Sequence, residues 1–163
     1  MTERSFTAAW DDQDRLAEAG RTLSGLEHAR AAVDGTLPRP SMLVLLGIEV
    51  LEVDEGRVVA VVTPGEQHYN LIGTVHGGLV ATLLDTAMGL AFQTCAGVGE
   101  RCATLNLDVT FIRALRDDSG QIRAEGRVLH QGGRALTAQA TATDATGRLL
   151  ATGSATAIRI QLA

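Results

Sequence analysis

The stretch Gly73-Thr74-Val75-His76-Gly77-Gly78-Leu79-Val80-Ala81-Thr82-Leu83-Leu84-Asp85-Thr86-Ala87-Met88-Gly89-Leu90-Ala91-Phe92-Gln93-Thr94-Cys95-Ala96 decides the fold. Leu79, Val80, Leu83, Leu84, Ala87, Leu90 and Ala91 recur at helical spacing, which predicts one long helix over 73–96. The opposite face carries Ala81, Asp85, Met88, Gly89 and Phe92, almost all small or apolar. A helix with so little polar surface is expected to be enclosed on every side.

Strand patterns surround it. Residues 48–62 are rich in Val and Ile and break at Asp54-Glu55-Gly56, which predicts two strands joined by a tight turn. From 103 to 111, Ala103, Leu105, Leu107, Val109 and Phe111 alternate with Thr104, Asn106, Asp108 and Thr110, a period of two that predicts a half-buried strand. Three further strands are expected near 121–130, 134–144 and 148–160, separated by Gly132-Gly133 and by Ala145-Thr146-Gly147. Connections this short imply antiparallel neighbours. The expected fold class is therefore α+β, an antiparallel sheet wrapped around a long central helix.

Upstream, Asp11, Asp12 and Asp14 suit a helix N-terminus, and Leu16, Ala19, Leu23, Leu26 and Val33 follow at helical spacing. This predicts one amphipathic helix over 11–33, weakened by Gly20 and Gly25. Asp34 to Pro40 reads as a stop and linker, with Pro40 opening a short turn of helix that ends at Gly47. Two parts are expected: an N-terminal helical extension with its linker, 1–37, and a main domain, 38–163.

Length and composition narrow the function. A chain of 163 residues with 45% hydrophobic and 20% charged residues suits one folded domain. Its net charge of −5 and only three Phe, one Trp and one Tyr give little basis for binding nucleic acid by phosphate attraction or base stacking. The start of the chain shows no secretory pattern, and no apolar run approaches the ~18 residues that span a bilayer, so a cytoplasmic protein without membrane attachment is expected. Cys95 and Cys102 are read as reduced. His28, His68, His76 and His130 lack metal-ligand spacing, although His68 and His76 could approach in a loop, and no Gly-x-Ser-x-Gly elbow is present.

Two features point to chemistry. Between Glu66 and Glu100, Asp85 is the only formally charged residue. A carboxylate on such an apolar helix is costly to bury without a partner, and perturbed acids concentrate at active sites. The second is His76-Gly77-Gly78 at the helix start, where free backbone N–H groups can hold an anion or a polarised carbonyl oxygen. His76 near the positive end of the helix suits a structural hydrogen bond better than an acid. Nine residues separate His76 from Asp85, about 13.5 Å of rise and about half a turn of net rotation. The two features face opposite ways, so one reaction centre using both is expected to form across a two-fold dimer.

These residues carry a resemblance. Asn70-Leu-Ile-Gly73-Thr-Val-His76-Gly77-Gly78-Leu-Val-Ala-Thr-Leu-Leu-Asp85 is similar to the Asn, Gly, His-Gly-Gly and acid pattern of hot-dog-fold acyl-CoA thioesterases of the phenylacetate-degradation (PaaI) and thioesterase-superfamily-member type. It also looks like the hydroxybenzoyl-CoA thioesterases. Thr104 to Phe111, Gln131 to Arg134 and Asp144 to Gly153 resemble the family's later strands, so the likeness spans roughly 38–160.

The resemblance implies hydrolysis of an acyl-CoA or aryl-CoA thioester to free acid and CoA, with no cofactor beyond the coenzyme A of the substrate. It implies Gly77 N–H as oxyanion donor with Asn70 assisting, Asp85 as general base or nucleophile, and Thr104 orienting the water or the acid. Thr104 reads equally well as an outward polar residue on an alternating strand. Arg134 with Gly133, and more weakly Arg113 and Arg116, would meet the CoA phosphates, or are simply solvated turn residues. Gly89 stands where one aryl-CoA branch has a Thr, so that role has no counterpart here. The expected partners are the acyl-CoA substrate and further copies of the chain, as a homodimer or dimer of dimers. A dehydratase or hydratase acting on a CoA or carrier thioester, and a non-catalytic acyl-CoA-binding protein, are the alternatives.

Overall fold

The structure is a computed structural model that describes residues 3–162. Its centre is helix α4 (Gly77–Thr94), preceded by β1 (Ile48–Asp54) and β2 (Arg57–Val62) and followed by β3 (Glu100–Phe111), β4 (Ile122–Gln131), β5 (Ala135–Thr143) and β6 (Leu149–Gln161). The six strands form one antiparallel sheet in the order β1-β2-β4-β5-β6-β3, so β1 and β3 are its edges. This is the α+β arrangement expected, with the helix across one face of the sheet. β1 and β2 turn tightly at Glu55-Gly56, where Gly56 takes φ +70°, a conformation open to glycine at no steric cost.

The sheet lets α4 come close because its inner face is unusually small. Ala60, Ala124, Ala138, Ala140, Ala142, Ala155 and Ala157 are all buried and meet Leu83, Leu84, Met88 and Phe92 from the helix. Alanine is a poor strand former, so these strands owe their conformation to packing under the helix. The tightest point is Gly126 of β4, where an added Cβ would lie 2.5 Å from the backbone carbonyl of Ala87. Gly126→Ala is therefore expected to force helix and sheet apart, costing about 1–3 kcal/mol, or very roughly 5–10 °C in melting temperature. A thermal melt unchanged within 1 °C would contradict this packing.

Three short helices precede the sheet: α1 (Gln13–Ala19), α2 (Gly25–Val33) and α3 (Ser41–Leu46). The single helix expected over 11–33 is thus two. Ser24 accepts a hydrogen bond from Glu27 N and the Glu27 carboxylate accepts from Ser24 N, a capping box that starts α2 afresh. Gly25 N donates to Ala96 O at 2.9 Å, and a Cβ on Gly25 would collide with the Gln93 carbonyl. The break exists so that α2 can dock on the C-terminal end of α4. α3 opens at Pro40 and ends at Gly47, whose φ of +65° lets its N–H reach the carbonyls of Leu43 and Val44, as the sequence suggested.

Two expectations about faces need correction. α4 begins at Gly77 rather than Gly73 and is not enclosed on every side: Ala81, Thr82, Asp85, Thr86, Gly89, Leu90 and Gln93 form a half-exposed stripe. β3 pairs only with β6, its register shifts between Thr104 and Asn106, and Leu105 and Phe111 are 61% and 54% exposed. The apolar residues of both elements outnumber the surfaces that this chain offers them.

Candidate active site

His76 is the N-cap of α4, and its Nδ1 accepts a hydrogen bond from Gly78 N at 2.8 Å. The proton of the neutral ring therefore sits on Nε2. Leu79 N donates to the His76 carbonyl at 3.0 Å. Of the first three amides of the helix, the cap uses the second and third and leaves Gly77 N–H without an acceptor among the described residues. That amide points out of the N-terminus of an 18-residue helix, the end where negative charge is favoured. The ring of Phe111 packs beside it, 3.1 Å from where a Gly77 Cβ would stand.

The loop before the helix is held by Asn70. Its Oδ1 accepts from Ile72 N and Thr74 N, its Nδ2 donates to Thr74 Oγ1 at 2.9 Å, and its backbone pairs with Thr74 O and Gly73 N. Gly73 closes this turn at φ +72°. Asn70 is thus chiefly the organiser of the loop, with one Nδ2 proton left over. Thr74 is its partner, a residue that sequence reasoning passed over although it directly follows the Asn-x-x-Gly turn. His68 Nδ1 accepts from Gly65 N, and His76 N donates to His68 O at 2.7 Å, so the two histidines meet through the backbone.

Asp85 lies eight residues into the helix on the half-exposed stripe. It has no hydrogen-bond or ion-pair partner among the described residues, and burial alone pushes its pKa above the ordinary aspartate value. Thr82, the polar residue one turn before it, donates to the Gly78 carbonyl at 2.8 Å. At Gly89, one turn on, a Cβ would meet nothing within 4 Å, so the space beside Asp85 is open.

The edge strand β3 runs antiparallel beside α4. Cys102 N donates to Gln93 Oε1 at 3.2 Å near the end of the helix, and Phe111 covers Gly77 at its start. Thr104 lies between, exposed and opposite Ala157 of β6. Arg113 is exposed just beyond Phe111 and donates to the Leu149 carbonyl. Gly133 and Arg134 lie in the β4–β5 connection at the far end. Arg159 donates to both Gly133 O and Cys95 O there, and the Arg134 side chain is exposed.

One chain thus brings together Asn70, His76, Gly77 and Arg113, and separately Gly133 and Arg134 about 27 Å away along α4. Asp85 and Thr104 lie between these groups. The Asp144 carboxylate orders the β5–β6 turn: chiefly the Thr146 hydroxyl, together with the amides of Thr146 and Arg148 and the Arg148 guanidinium, holds its pKa down to about 2. Among the described residues no group of three His, Cys, Asp or Glu side chains is placed to hold a metal ion. Among the described residues no helix is long and apolar enough to cross a membrane.

Comparison with known proteins agrees with this geometry. The thioesterase superfamily model matches residues 72–151. Human acyl-coenzyme A thioesterase 13 is 32% identical over 111 residues, 68% of this chain and 78% of that protein. A conserved protein from Pseudomonas aeruginosa superposes with a TM-score of 0.69 at 29% identity, covering 74% of this chain and 94% of its own. The PaaI protein of the E. coli phenylacetic acid degradation operon shares the fold with a TM-score of 0.72 at 22% identity, covering 87% and 100%. A relative 32% identical over two thirds of the chain, the family model over 72–151 and the shared sheet-and-helix architecture together show that this chain belongs to the thioesterase superfamily and has the hot-dog fold.

Proposed function

We propose that the protein hydrolyses an acyl-CoA or aryl-CoA thioester, in a site that Gly77 of one subunit and Asp85 of the partner subunit complete together. The observation that carries this reading is Asp85 itself: half-buried, raised in pKa by desolvation, and without a partner among the described residues of its own chain. Acyl-coenzyme A thioesterase 13, to which the chain is similar, supports the substrate class.

The carbonyl oxygen of the thioester accepts from Gly77 N–H, where the helix dipole favours the negative charge that develops. Asp85 takes a proton from water as the water oxygen attacks the carbonyl carbon; the C–S bond then breaks, and the proton passes to the departing thiolate of CoA. Direct attack by Asp85 through a mixed anhydride gives the same products. Single-turnover hydrolysis in 18O-water identifies direct attack when water opens the anhydride at the Asp85 carbonyl, because only that route puts the label into the Asp85 carboxylate. Thr104 is assigned to orienting the water, and Arg134, Gly133 and Arg113 to the phosphates of CoA.

The second subunit follows from distance. Gly77 and Asp85 are about 12 Å apart along one helix, and the Gly77 N–H points out of the helix end away from Asp85. Reacting groups must come within about 3 Å of one centre, which a single copy does not achieve. The exposed apolar groups of the β3 edge and the small-residue stripe of α4 offer the second copy its contact.

A hydratase reading needs an acid or base at His76, whose Nδ1 is committed to the helix cap. Saturated acyl-CoA esters distinguish the reactions, since they offer no double bond to hydrate. Thiol release well above the uncatalysed rate is expected from at least one of acetyl-, hexanoyl-, decanoyl- and phenylacetyl-CoA, and absence of release from all four would refute the proposed function.

A further inference from the structure

His68 has no part in the reaction assigned to Gly77 and Asp85, yet its imidazole joins three segments that meet at the start of α4. It closes one turn of 3-10 helix, Glu66–His68, which follows β2 after Thr63-Pro64-Gly65. Within that turn its Nδ1 accepts from Gly65 N at 3.0 Å, and its own backbone N–H donates to Gly65 O at 2.9 Å. The other edge of the ring faces α3, where the Leu46 carbonyl favours a proton on it. With Nδ1 accepting, that proton is on Nε2. Burial pushes the pKa of the half-buried ring below the ordinary histidine value of 6.5 by more than the Leu46 carbonyl raises it. The ring is therefore neutral at pH 7, as an accepting Nδ1 requires. Glu66, the charged residue of the same turn, is exposed and paired with Arg4.

We propose that His68 is a positioning residue for hydrolysis: its ring fixes the carbonyl that holds His76, and so sets where the Gly77 N–H points. The proposal rests on the thioesterase reading and deepens it. Three observations carry it. His68 O accepts from His76 N at 2.7 Å, one residue before Gly77, whereas the hydrogen bonds of Asn70 reach no further than Thr74. Residues 68–76 form a closed hairpin in which His68 pairs with His76, Tyr69 bridges Val75 and Asn70 pairs with Thr74, so the two histidines are its base. Finally, one ring ties that base both to the turn after β2 and to α3. A shift of His68 passes directly to the N-cap of α4.

An oxyanion donor helps only if it is already in place when charge develops, and a displacement of about 1 Å costs up to about 100-fold in rate. That help is given in the transition state, so kcat carries the loss and KM does not.

Two side-chain amides separate the two edges of the ring. Asn puts an oxygen where Nδ1 is and keeps an acceptor for Gly65 N. Gln puts its amide where Nε2 is and leaves Gly65 N bare. The substrate is whichever of acetyl-, hexanoyl-, decanoyl- and phenylacetyl-CoA is turned over fastest. His68→Gln should lower kcat about 10- to 100-fold with KM within about threefold of the wild-type value, and His68→Asn should keep kcat within about threefold. Equal kcat in the two variants, or a loss confined to KM, would overturn the proposal.

NMR reads the same arrangement without turnover. In the wild-type protein at pH 7 the His68 ring should carry its proton on Nε2, and a ring protonated on Nδ1 overturns the proposal whether or not either variant folds. The His76 amide should exchange its hydrogen at least tenfold more slowly in the wild-type protein than in His68→Gln, with the mid-helix amides of Leu83 and Leu84 unchanged. Equal exchange at His76 overturns the proposal as well. If the wild-type protein hydrolyses an ester and Asp85→Asn does not, yet His68→Gln keeps its kcat, the positioning role is lost and the thioesterase reading stands. If no ester is hydrolysed but the exchange difference is present, the thioesterase reading fails and the anchoring of the helix start by His68 stands.

Discussion

Asp85→Asn is expected to lower thiol release from acyl-CoA by about a thousandfold while leaving the fold intact. Loss of a general base typically costs 10²- to 10⁴-fold, and loss of a nucleophile is at least as severe. Asn keeps the shape of the side chain and removes only its charge and basicity. The charge has no partner among the described residues, so its removal leaves none of them unsatisfied.

The sign of the stability change separates this prediction from a merely structural role. Burial raises the Asp85 pKa in the folded state above its unfolded value. A group shifted in that direction favours folding when protonated, below the ordinary carboxyl range, and that contribution is lost as pH rises through the folded-state pKa. At pH 7 the ionised Asp85 therefore opposes folding. Asp85→Asn should melt at the same temperature as the wild-type protein or higher at pH 7, with the gap closing below about pH 4. In the wild-type protein kcat/KM should fall with acidification through a pKa above the ordinary aspartate range near 4, because only the ionised form accepts a proton. More than a tenth of wild-type activity in the variant would remove Asp85 from the chemistry, and a variant that melts lower would make it structural.

The hairpins and the helix were legible because their signals are local, whereas the pairings of β2 with β4 and of β3 with β6 join strands far apart in sequence and were not read. The turn at Glu55-Gly56, the Gly132-Gly133 connection and the helical spacing after His76 each appear within a few residues of sequence, and each reappears in the structure. The α1–α2 break was equally local, since Ser24 and Glu27 have the spacing of a capping box, yet the apolar spacing from Leu16 to Val33 runs straight through it. Periodicity reports which face is apolar and is silent on where the chain must stop to dock.

The same limit explains α4 and β3. The apolar pattern of Leu105, Leu107 and Phe111 and the small residues around Asp85 were read as buried, and in one chain they are partly exposed. The free energy of burying apolar area is the same whether the covering surface is the chain's own sheet or another copy, so a sequence pattern cannot tell them apart. The meeting of α2, α3 and β1 with Leu90 of α4 was not legible at all, because it joins residues 40 or more positions apart. At the site, the helix start and the acid were visible as residue types, whereas the commitment of Gly78 N–H to His76, which leaves Gly77 N–H vacant, is a matter of geometry alone.

That vacancy leads to the other large effect. Gly77→Pro removes the one amide proton assigned to the oxyanion and should reduce thiol release by about 10²- to 10³-fold. The backbone accepts the change well. Pro is favoured at the first position of a helix, and His76 before it, at φ −63° and ψ 133°, already has the extended conformation that a following Pro requires. The Phe111 ring must give way by a few tenths of an ångström, which its exposed position allows.

Each variant is then inactive for a different reason, and mixing them tests where the site is built. If Gly77 of one subunit works with Asp85 of the other, a mixed dimer of the Gly77→Pro and Asp85→Asn chains contains one site with both defects and one with neither. Random reassociation of equal amounts makes about half the dimers mixed, so about a quarter of wild-type activity should return from two preparations that each show under about 1%. A site contained within one chain predicts no return, because every chain then carries a defect. Activity that stays at the level of the separate variants after subunit exchange, demonstrated by mass spectrometry of the mixed species, would overturn the shared site.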